Sequence, residues 1–109
     1  MNNNLLMIAV TEAKAAAGKE TTLEGRLRAA MEATKNHWVV TSEDDRFRAA
    51  VAGVMLLSND EEKERIKLEI DQIRMLGAAF SGIPVDFAVV KPLDNPIGLM
   101  KMWGKVKKC

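Results

Sequence analysis

Val85-Asp86-Phe87-Ala88-Val89-Val90-Lys91 decides the fold class. Val85, Phe87 and Val89 alternate with Asp86, Ala88 and Val90, the period of two that marks a strand with one fully apolar face. His37-Trp38-Val39-Val40-Thr41 has matching character, aromatic and β-branched. The remainder of the chain reads mostly at helical spacing. The expectation is an α+β domain, predominantly helical, with about five helices and a short two-stranded antiparallel ribbon pairing His37–Thr41 with Val85–Lys91.

Two helices lie between those segments. Ser42 with Asp45 three places on is a variant capping box, and Glu43, Asp44 and Asp45 put negative charge at a helix start. Phe47, Ala50, Val51, Val54, Met55 and Leu57 follow on one face. Ser58-Asn59-Asp60-Glu61-Glu62 is a stop and a new start. Ile66, Ile70, Ile73, Gly77 and Phe80 then make the stripe of the longest helix, widened by Leu68, Met75 and Leu76. Ser81-Gly82-Ile83-Pro84 closes it with Gly at the left-handed cap and Pro beyond. The short turn between the two helices predicts an antiparallel hairpin, which would bring the flanking strands side by side beneath it.

Outside this centre, Leu5 to Ala17 reads as a helix stopped by Gly18, although alternation over Leu6–Val10 gives a competing strand reading. Thr21 with Glu24 forms a capping-box pattern ahead of Leu23, Leu27, Ala30, Met31 and Thr34. Asn95 and Pro96 supply the cap and first position of a final helix from Ile97 to about Lys107.

Composition excludes several function classes. The chain has 109 residues, one domain's worth, with 48% hydrophobic and 28% charged residues. Its 16 basic and 15 acidic side chains lack the positive excess of a protein that coats DNA. Cys109 is the one cysteine, so no intramolecular disulfide or multi-cysteine zinc site can form, which favours a reducing compartment. Leu5 to Val10 is too short for a membrane span and lacks the basic start of a signal peptide. A cytoplasmic protein is expected.

Chemistry finds little purchase. Gly18-Lys19 lacks the upstream glycine of a phosphate loop, and Gly98 to Gly104 has one residue too many between its glycines, with Val106 where Ser or Thr would bind magnesium. The acidic clusters 43–45 and 60–62 lack calcium-loop spacing and stand where helices begin. His37 is the one histidine, a residue type suited to acid–base work, and no nucleophile elbow accompanies it. No catalytic residue, metal site or cofactor is expected.

The final helix carries the strongest surface signal. Met100, Met102, Trp103 and Val106 form an apolar side suited to a protein partner. Lys101, Lys105 and Lys108 share another face with Lys107 nearby, which suits the phosphates of nucleic acid. The expected function is that of a small, non-enzymatic interaction or regulatory protein working through protein contacts as a homo-oligomer. Nucleic-acid binding through the lysines is the alternative, and a ligand site or enzyme centred near His37 is third.

Overall fold

The computed structural model describes residues 3–38, 40, 42–86 and 93–108. Five helices follow in order: α1 Asn3–Ala17, α2 Leu23–Thr34, α3 Glu43–Met55, α4 Asp60–Phe80 and α5 Leu99–Lys108. Among the described residues there is no strand. The class is all-α, and the expected α+β ribbon is not found.

The first half of that ribbon fails for a physical reason. A strand would turn His37 and Val40 to opposite faces, yet both are buried while Trp38 between them is 84% exposed. Val40 packs with Ala9, Val10 and Ala49, between α1 and α3. The carbonyls that a ladder would use are taken by one side chain. Arg46 donates from Nε to the Val40 carbonyl (2.7 Å), from Nη2 to that of His37 (3.3 Å) and from Nη1 to that of Lys35 (3.5 Å). A guanidinium presents its donors as a fixed fork, so it fits a curved row of carbonyls and holds the segment as an irregular bridge into α3. In the second expected strand, Val85 and Asp86 are irregular, and 87–91 lie outside the described residues.

The body is a three-helix unit in which α1, α2 and α3 all pack on one another. Small residues allow the approach: Ala9, Ala13 and Ala17 of α1 and Ala49 and Ala50 of α3 are wholly buried. At Gly53 the contact is so close that a Cβ would lie 2.8 Å from both Ala13 Cβ and the Lys14 amide nitrogen. Leu27 and Met31 of α2, Val54 of α3, Ile66 of α4, and Leu99 and Trp103 of α5 fill the larger volumes. Leu6–Val10 lies within α1 and is helical.

Local caps place the ends. Thr22, one residue beyond the expected Thr21, accepts from the Gly25 amide (3.0 Å), and Ser42 accepts from that of Asp45 (3.4 Å). Asn59 and Glu62 cap α4 reciprocally: Asn59 Oδ1 accepts from the Glu62 amide (2.8 Å) and Glu62 Oε1 from that of Asn59 (3.1 Å). Gly82, at φ 79°, ends α4 as the sequence predicts. α5 starts at Leu99 and not at Ile97, because Gly98 sits at φ 78°.

α4 outruns its neighbour. At 1.5 Å per residue its 21 residues span about 31 Å, against about 20 Å for the 13 of α3. Its apolar stripe therefore starts buried at Ile66, is half-buried at Ile70 and Ile73, and ends in solvent at Phe80.

Candidate functional site

α5 is held to the body from both ends. Buried Glu69 of α4 receives three successive amides at its N-terminus: Ile97 (2.6 Å) and Gly98 (3.1 Å) on Oε1, and Leu99 (2.5 Å) on Oε2. The carboxylate satisfies orphan donors and complements the positive end of the helix dipole. At the other end Lys35 Nζ donates to the Val106 carbonyl (3.4 Å), a cation at the negative pole. Between them Trp103 is 2% exposed, tilted against Phe47 with ring centroids 5.7 Å apart, and its Nε1–H donates to Glu43 Oε1 (3.3 Å).

The expected partner-binding side of α5 is thus divided. Trp103 and Val106 belong to the chain's own core, Met102 is partly buried against it, and Met100 is half exposed. The lysines are divided as well. Lys107 pairs with Glu43 and lies 5.7 Å from the Trp103 ring centroid. Lys107 beside it, through hydrogen bonding and charge, holds the Glu43 carboxyl below its ordinary value. Lys101 and Lys105 face elsewhere, lining with Arg28 of α2 a recess of about 160 Å³. Lys108 is exposed at the end of the helix. Arg28 is the cation that spacing along α5 could not have revealed.

His37 is buried, and its Nε2 lies 2.6 Å from Glu12 Oε2. Its carbonyl is among those held by Arg46. The arrangement ties α1 to the bridge before α3. Among the described residues, no group of three or more His, Cys, Asp or Glu side chains converges as for a metal ion, and no helix is long and apolar enough to cross a membrane.

Two apolar surfaces on α4 lie open among the described residues. Along the splayed α3–α4 hairpin runs a groove of about 360 Å³, lined on its apolar side by Phe47, Val51, Met55, Ile66 and Ile70. It adjoins a hollow of about 240 Å³ that extends past Ile73 to Met100 and Trp103. Beyond it stands the free end of α4, where Leu76 is 52%, Phe80 91% and Ile83 57% exposed. From Met75 to Ile83 there is no charged residue. No family model, curated protein or solved structure matches the chain.

Proposed function

We propose that the protein is a non-enzymatic interaction protein of the cytoplasm that works as a homo-oligomer, with the free end of α4 as its self-contact. The observation that carries this reading is the continuation of one apolar stripe from buried Ile66 to Phe80, exposed at its far end on a helix that overruns its neighbour. The four- and three-residue steps of Ile66, Ile70 and Ile73 continue past the body to Gly77 and Phe80, and this free end carries the spacing of a two-helix seam. A second copy suits that seam. A Cβ on Gly77 would meet nothing within 4 Å, so Gly77 is a hole one turn from the Phe80 knob. An antiparallel pair places each ring over the other copy's glycine, as a two-fold contact requires.

Sedimentation at tens of micromolar (the range of about 6–7 kcal/mol association) tests the proposal. A dimer or larger species for the wild type, with Phe80→Glu monomeric and equally helical, is the expected result. A monomeric wild type overturns it.

A second reading has its own observation. Arg28, Lys101 and Lys105 surround one recess, a cluster suited to nucleic-acid phosphates. Its mark is binding of a short oligonucleotide that weakens steeply with salt and is lost in the Arg28→Gln, Lys101→Gln, Lys105→Gln triple variant.

A further inference from the structure

We infer that the α3–α4 groove is a docking site for an amphipathic helix with acidic flanks, contributed by a different protein. The inference rests on the reading of the protein as an interaction module, and not on its self-association. The lining residues of the groove on α4 end at Arg74, so it shares the apolar stripe with the self-contact only up to Ile73 and leaves out Gly77 and Phe80, where the two copies meet.

Shape selects a helix. α3 and α4 meet closely over only part of their length, and their facing apolar residues are left partly uncovered, with Phe47, Met55, Ile70 and Ile73 all half-buried. The groove and its adjoining hollow follow α3 from Glu43 to Met55, a run of about 18 Å or slightly over three helical turns. A third helix laid there would bring apolar residues at i, i+4 and i+7 onto that floor, as in helix-in-groove recognition.

Charge selects the flanks. Arg48, Lys67 and Arg74 stand along the groove, and Asp71 is the only acid among its lining residues. Arg48 is bridged to Asp45 at 3.6 Å, yet its side chain stays 70% exposed. Among the described residues Lys67 and Arg74 make no side-chain hydrogen bond or ion pair, and with Arg48 these exposed cations outnumber Asp71 along the groove. A helix with Glu or Asp beside its apolar stripe meets these cations, and one with Lys or Arg there is repelled. Glu43 and Asp44 lie only at the far hollow, where Lys107 already pairs with Glu43.

The probe is a fluorescein-labelled helical peptide of about fourteen residues, long enough for the groove, with Leu at i, i+4 and i+7 and Glu on both flanks. Its counterpart carries Lys in place of Glu. Anisotropy with the full chain is expected to show saturable binding of the Glu peptide, about tenfold tighter than the Lys peptide given three rim charges. The exposed triple variant Arg48→Glu, Lys67→Glu, Arg74→Glu, checked for helicity by circular dichroism, is expected to invert that preference. Equal binding of the two peptides, an unchanged preference in the triple variant, or displacement of the Glu peptide by a short oligonucleotide overturns the inference. Sedimentation of the same samples separates the two claims. A dimer that does not discriminate between the peptides refutes the groove alone, while a monomer that discriminates supports the groove and refutes the self-contact.

Discussion

Glu69→Ala removes the carboxylate that seats α5 and leaves the amides of Ile97, Gly98 and Leu99 without their acceptor. Hydrogen bonds to a charged group contribute about 1.5–3 kcal/mol each, so three independent ones would sum to about 4.5–9 kcal/mol. They are not independent, and a neighbouring hollow lined by Arg65, Leu93 and Asn95 admits water toward the start of α5. The buried Leu99 amide has no such relief, which sets the expected loss near 3 kcal/mol. At about 4–8 °C per kcal/mol for a domain of this size, the melting temperature falls by about 12–24 °C. Glu69→Gln, which keeps one acceptor oxygen, falls by about half as much. The assay is urea and thermal unfolding in a Trp38→Phe background, because Trp38 is exposed and its removal leaves Trp103 as the sole emitter. Trp103 emission should shift to the red at lower urea than the loss of helicity, since α5 lifts before the three-helix body melts. A Glu69→Ala protein within about 1 kcal/mol of wild type, with Trp103 emission still blue, would refute the capping role.

Gly53→Ala should destabilise by about 1–3 kcal/mol through overpacking against α1, despite a helix-propensity gain of about 1 kcal/mol. Gly77→Ala has open space and should show the propensity gain alone in samples dilute enough to be monomeric, both read from chemical denaturation. Glu43 has its carboxyl lowered by Lys107, so its pairing stabilises the fold above the ordinary carboxylate value and the benefit is lost as pH falls through the lowered one; the melting-temperature gap between wild type and Glu43→Gln should accordingly close on acidification from pH 6 to pH 3. Trp103→Ala should cost about 3–5 kcal/mol, whereas the combined Lys101→Gln, Lys105→Gln, Lys108→Gln variant should stay within about 0.5 kcal/mol per substitution by thermal melting.

What could be read from the sequence is what arises between near neighbours. Ser42 before Asp45, Gly82 before Ile83 and Pro84, and the Ile66–Ile70–Ile73 stripe are interactions within four residues, and each produced the helix start, stop or face expected of it. The ribbon misled because β-branched composition reports only that a segment suits an extended, half-buried surface. It carries no information about a donor elsewhere in the chain. Arg46 sits in α3, where helical spacing makes it an ordinary polar-face residue, yet its guanidinium reaches back six to eleven positions to hold the carbonyls of the preceding bridge. Val40 then drops between α1 and α3 as a single plug, which a strand register would have prevented.

The placement of the α5 side chains depends on partners at still longer range. Glu43 looks like one of three acids compensating a helix dipole, and it does stand in the first turn of α3. Its carboxylate also binds Trp103 and Lys107, some sixty positions later, so it fixes which side of α5 faces inward. Glu69 carries no local signal at all, because its partners lie 28 to 30 residues away. Together these two carboxylates turn α5 so that Trp103 and Val106 close the core, and they leave Met100 at the end of the α3–α4 groove. The apolar surface left open around α4 and α5 is consequently set less by the amphipathicity of α5 than by the length of α4. That helix has more apolar stripe than its own body can cover, and the excess emerges at Leu76, Phe80 and Ile83. Shortening the stripe would cost the body little, since Ile66 alone is fully buried in it, so a mutation at Phe80 can test the proposed assembly without unfolding the body, where one at Trp103 cannot.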